Sequence, residues 1–156
     1  MSAGSSDHAD IVGRPPAVGL AFLAIGAVLH LAFPVEIAPG VATWAAGIPL
    51  AVLALALFGL ATREFREHGT PVRGNEPVTT IVESGPYRFT RNPIYVSFLL
   101  LQLGIALTAN SAWILASLAP MFLYLSTAVV PREESYLAGK FGEDYLRYKQ
   151  TVRRWI

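Results

Sequence analysis

The chain has 156 residues, of which 53% are hydrophobic and 15% charged, with twelve basic and eleven acidic side chains and a net charge of +1. A composition this apolar, gathered into long uncharged blocks, excludes an ordinary soluble domain and reads as an integral membrane protein. Charge this evenly balanced excludes a nucleic-acid-binding surface, and the absence of cysteine excludes disulfides and thiolate metal sites.

Residues 1–14 (MSAGSSDHADIVGR) are small and polar and read as a flexible tail, with 15–156 as one membrane domain. Four stretches, 16–33, 41–62, 93–108 and 111–130, are nearly free of charge and close to the roughly 20 residues a bilayer crossing needs. The first is read as a retained helix, because Arg14 is its one nearby basic residue and no small-x-small cleavage site follows. The third is short, and the two-residue turn Ala109-Asn110 predicts a tight antiparallel hairpin with the fourth.

Between the second and third spans lies the loop 63–92, in which "HGTPVRGNEP" reads as irregular and the β-branched run from Val78 to Val82 as a short extended piece. After the fourth span, Leu137, Phe141, Tyr145, Tyr148 and Val152 recur at helical spacing among charged residues. They predict an amphipathic tail helix over 131–156, interrupted around Gly139 to Gly142, that lies on the membrane or folds back over the loop, with Trp155 in the headgroup zone. The fold class is therefore all-α: a polytopic membrane protein of four transmembrane helices and a C-terminal amphipathic helix. Every basic residue lies at Arg14, between Arg63 and Arg91, or from Arg132 onward, so the positive-inside rule puts both termini and the 63–92 loop in the cytoplasm, at a prokaryotic inner membrane.

Two stretches carry chemistry. In "GPYRFTRNPIY" (85–95), Gly85-Pro86 makes a turn, Asn92 is suited to cap a helix and Pro93 to begin it. Tyr87 and Tyr95 read as interfacial residues, and Arg88 and Arg91 as headgroup anchors. Glu133-Glu134 is harder to explain as anchoring, since adjacent carboxylates gain nothing beside an anionic leaflet and call for a cation. Neighbouring helical residues point about 100° apart, so one faces inward to a ligand or arginine and the other outward, with Arg132 as a local partner.

Together, "GPYRFTRNPIY", the helical hairpin and "EESYLAGKFGEDYLRYKQTVRRWI" resemble the isoprenylcysteine carboxyl methyltransferase and phospholipid methyltransferase superfamily. Gly85, Tyr87, Arg88, Arg91, Pro93 and Tyr95 fall on its first motif, and Glu133, Glu134, Leu137, Phe141, Gly142, Tyr145, Tyr148, Val152 and Arg154 on its second. Asn92 stands where histidine is commoner, and Ser97 where glycine is.

The resemblance implies that S-adenosylmethionine binds at the cytoplasmic side and that a lipophilic acceptor, bearing a carboxylate, thiol, hydroxyl or amine, enters from the bilayer. Glu133 or Glu134 is suited to the cofactor's ammonium; the start of the helix at Asn92-Pro93, with Arg91, to its carboxylate. Tyr87, Tyr95, Phe141, Tyr145 and Tyr148 are suited to the adenine and sulfonium. Arg154 and Glu134 are assigned to the reaction centre, Arg154 (or Arg153) by gripping an anionic acceptor.

The three histidines share no ligand spacing, so no metal site is expected. His30 and Gln102 read as interhelical pairing residues, Gln102 also as a tunnel residue, and Gly19, Gly26, Gly47, Gly59 and Gly104 as close-packing positions. Two rival readings stand: a nicotinamide-dependent reductase of the membrane sterol type, and a scaffold without turnover.

Overall fold

The computed structural model describes residues 15–71 and 78–156; the tail 1–14 and residues 72–77 of the segment read as irregular lie outside the described residues. Four long helices, α1 (Pro15–Ala32), α2 (Trp44–Glu67), α3 (Pro93–Thr108) and α4 (Ala112–Phe141), precede a short α5 (Glu143–Thr151). Helices α1, α2 and α4 are long and apolar enough to cross a membrane, whereas α3 has 16 residues, about 24 Å of helix against a hydrocarbon core of about 30 Å. The protein is an all-α polytopic membrane protein. Among the described residues there is no strand, and residues 78–82, expected to be extended, form none. One isolated antiparallel bridge joins Glu36 to Ser111.

The helices stand in a row, α2 against α3, α3 against α4 and α4 against α1. The α2–α3 contact is the most extensive because small residues let the two backbones touch. A Cβ on Gly47 would lie 2.5 Å from the Thr108 amide nitrogen, and one on Gly104 2.7 Å from that of Ala51. Gly26 admits the backbone of Ile114 in the same way, but Gly59, expected to pack closely, faces open space. Gln102 donates 2.8 Å to the Ser117 hydroxyl, an interhelical bond of the expected kind, while His30 Nδ1 has no partner among the described residues.

Asn110 turns α3 into α4 with φ 48°, and its side chain exchanges hydrogen bonds with both backbone groups of Ala38, each at 3.1 Å. The α1–α2 connection is thereby pinned to the hairpin turn. Helix α4 is not uniform: its regular path is interrupted at Ser117, and a wide π-type turn occupies Leu125–Val129 just before Pro131. Prolines lack the donor a regular turn would use, and the wide turn re-phases the side chains beyond it. The structure also corrects the predicted tail helix over 131–156. Helix α4 continues through Glu133 and Glu134 to Phe141, the break falls at Gly142 with φ 54°, and α5 ends at Thr151.

Gly104→Leu is expected to cost about 1–3 kcal/mol through forced separation of α2 and α3. Gly59→Leu should be close to neutral, and thermal unfolding of the two detergent-purified variants measures the difference.

Candidate functional site

The polar residues gather at the end of the bundle where α2 finishes, α3 starts and α4 emerges. The left-handed conformation of Gly142 turns the chain back so that α5 lies across this end, with Tyr145 and Tyr148 buried beneath it. Tyr148 Oη donates 2.8 Å to the Tyr87 carbonyl, and the Tyr87 ring packs edge-on against Phe65 of α2, 5.2 Å between centroids. Burial pushes the hydroxyls of Tyr145 and Tyr148 above the usual phenol range, so both remain protonated donors.

Beyond Thr151 the chain becomes extended and runs back along "GPYRFTRNPIY" as a strap. The Arg91 amide donates 2.9 Å to the Arg153 carbonyl, and the Arg154 carbonyl accepts from Asn92 Nδ2 at 2.8 Å and Thr90 Oγ1 at 3.2 Å. Asn92 therefore occupies the cap position of α3 without capping it, since its side chain makes no bond to the helix amides.

The centre of the cluster is Glu134, 7% exposed. Arg154 grips it with two hydrogen bonds of 2.9 and 2.8 Å, Lys149 Nζ lies at 3.2 Å and Arg91 Nη1 at 3.0 Å. Glu134 thus meets three cations from within the protein. The bond to Glu134 raises the pKa of Arg154 above its ordinary value, which keeps the guanidinium charged. The Arg91 charge also acts on the nearby Tyr145 hydroxyl, and the buried Arg91 Nε has no hydrogen-bond partner among the described residues. Glu133 faces differently: its Oε1 accepts from Tyr95 Oη at 2.5 Å, so it is held by a neutral donor.

Tyr95 belongs at once to this polar cluster and to the apolar core, packing with Leu99 and Trp155 around Met121, Leu125 and Val129. Alongside, α3 and α4 leave an almost wholly apolar groove of about 440 Å³ lined by residues including Leu99, Leu103, Leu118, Phe122 and Trp155. Trp155 stacks obliquely on Phe122 at 5.2 Å.

Of the sequence-predicted site residues, Tyr95, Arg91, Glu133, Glu134, Tyr145 and Arg154 converge here, and Asn92 and Pro93 border them. Phe141 lies elsewhere, with Tyr148 on a separate hollow of about 410 Å³ lined also by Thr80, Asp144 and Arg147. Tyr87 supports the cluster from behind through its carbonyl and its packing on α2. Sequence reasoning did not single out Lys149 or Thr90. Lys149 lies one residue beyond Tyr148 on α5, and its approach to Glu134 depends on the turn at Gly142.

A family model described as phospholipid methyltransferase matches residues 42–144. The chain is 38% identical over 63 residues to an uncharacterized protein of Haemophilus influenzae, a match covering 40% of this chain and 100% of that one. It is 41% identical over 64 residues to the cobalt-zinc-cadmium resistance protein CzcN of Cupriavidus metallidurans, covering 41% of this chain and 30% of that protein. No solved structure matches.

Replacing Glu134 by Gln would leave three cations around a neutral amide. After allowing for the partial exposure of Lys149 and Arg154, a loss on the order of 2–3 kcal/mol is expected, read as a lower thermal midpoint in detergent.

Proposed function

Because this chain belongs to the phospholipid methyltransferase family, we propose that it transfers a methyl group from S-adenosylmethionine to a lipophilic or lipid-linked acceptor at the cytoplasmic face of a bacterial inner membrane. The observation that carries this reading is the pairing of two unlike carboxylates one residue apart. Glu134 is neutralised internally by Arg91, Lys149 and Arg154, whereas Glu133 is held only through the Tyr95 hydroxyl among the hydrogen bonds of the described residues, and Tyr95 shares a cluster with Leu99 and Trp155, which line the apolar groove.

The donor set fits the cofactor's three charged groups. Glu133 is suited to the ammonium, the unsatisfied Arg91 Nε to the carboxylate, and the Tyr95 and Tyr145 rings to the sulfonium. When bound, the cofactor supplies an electrophilic methyl carbon on a cationic sulfur. The protein's own residues then orient and desolvate. Tyr95 fixes the Glu133 carboxylate, Glu134 and its cations hold the strap over the start of α3, and the groove walls exclude water and receive the apolar part of the acceptor. The concentration of basic residues at this end supports its cytoplasmic placement, with both termini on the same side. Glu134 and Arg154, each spent on the other, support the centre from within the protein; Arg91 and Glu133 are the charged groups that meet the cofactor.

Calorimetric titration of the detergent-purified protein with S-adenosylmethionine, S-adenosylhomocysteine and NADPH tests this reading. Saturable binding of the two adenosyl ligands alone is expected. Binding of NADPH alone would transfer the case to a nicotinamide-dependent reductase, and binding of neither to a scaffold. Glu133→Gln should weaken S-adenosylmethionine binding by roughly tenfold or more through loss of a charge-assisted bond, with little change in thermal midpoint.

A further inference from the structure

Asn92 lies immediately before Pro93, where a capping side chain would serve the exposed amides of α3, yet its side chain turns away from them. Its Nδ2 donates 2.8 Å to the Arg154 carbonyl, on a segment 62 residues further along the chain. Thr90 and the Arg91 amide complete the grip, so three consecutive residues hold the two consecutive carbonyls of Arg153 and Arg154. The side chains that follow on the strap serve two different compartments. The Arg154 guanidinium closes on Glu134 by two hydrogen bonds, and the Trp155 ring forms a wall of the apolar groove. Paired hydrogen bonds of this type tolerate little displacement, so the setting of one peptide unit governs both.

We infer that Asn92 is a positioning residue: it seats the strap formed by residues 152–155 so that Arg154 neutralises Glu134 and Trp155 walls the groove. Its effect on methyl transfer runs through the strap and not through contact with the cofactor. The consequence for cofactor binding rests on the methyltransferase reading above, whereas the seating of the strap stands apart from it. The Arg154 carbonyl needs a donor. Histidine keeps an N–H at this position, alanine removes it, and aspartate replaces it with a negative acceptor.

Two readouts on the full chain in detergent test this: the rate of trypsin cleavage after Arg153 and Arg154, followed by mass spectrometry, and the affinity for S-adenosylhomocysteine. Loss of one such hydrogen bond predicts that Asn92→Ala speeds cleavage and weakens affinity by roughly three- to tenfold each, and Asn92→Asp by at least as much. Asn92→His should return both toward wild type. Should Asn92→Asp fail to fold, Thr90→Val, which removes the longer bond to the same carbonyl, is expected to move both readouts in the same direction by a smaller factor. Unchanged cleavage with weakened affinity would overturn the inference by making Asn92 a direct ligand contact, and no change in either would show the strap seated without it. If the wild-type chain binds no adenosyl ligand, the methyltransferase reading fails and the cleavage series alone decides the strap.

Discussion

Three cations drawn from separate stretches of the chain, Arg91 before α3, Lys149 on α5 and Arg154 on the strap, converge on the buried carboxylate of Glu134 in α4. Removing that carboxylate from water is costly, and only good geometry with several donors repays the cost. The arrangement supplies both, with two bonds from Arg154 and further approaches from Arg91 and Lys149. The same elements also contribute apolar contacts, Tyr145 and Tyr148 from α5 and Trp155 from the strap. With those contacts and the hydrogen bonds from Thr90, Arg91 and Asn92, the ion cluster fixes where α5 and the strap sit relative to α3 and α4.

Around that point the architecture divides its tasks. The row of helices is set by close backbone approach at Gly47, Gly104 and Gly26, a mechanism suited to a bilayer, where apolar burial alone gives helices little reason to associate. At the far end, Asn110 and the Glu36–Ser111 bridge lock the two connections together without charge clusters. The polar chemistry is left to the opposite end. There Tyr95 joins the core and the Glu133 carboxylate, and the adjacent Arg154 and Trp155 join the ion cluster and the apolar groove. The methyl transfer proposed above calls for this kind of proximity, a polar compartment beside an apolar one.

Much of the fold was legible in the residues themselves. Long uncharged runs mark membrane-crossing helices because a backbone in hydrocarbon must satisfy its own hydrogen bonds. The Ala109-Asn110 turn was visible from its brevity, and the interruption near Gly142 from the conformational freedom of glycine. The continuation of α4 through Glu133 and Glu134 was not. Hydropathy marks where a helix leaves the apolar phase, and carries no signal for a helix that continues past that point. Likewise Asn92 has the composition of a cap, but a competing carbonyl 62 residues away takes its side chain, which no local pattern reports.

The sequence by itself determined the class of protein, the helices and their hairpin order, the concentration of charge at one end, and the two motifs whose residues meet in the candidate site. These follow from short-range rules, namely hydropathy, turn chemistry and residue type. Tertiary structure decided which carboxylate is spent and which is held by a neutral hydroxyl, that Lys149 and the Arg154 carbonyl take part, and that Trp155 packs on Phe122 and walls a groove. Glu133 and Glu134 are chemically identical neighbours. Their difference comes from what the helix turn and the returning chain place beside each, because a charge interacts according to distance and surroundings and not according to its place in the sequence.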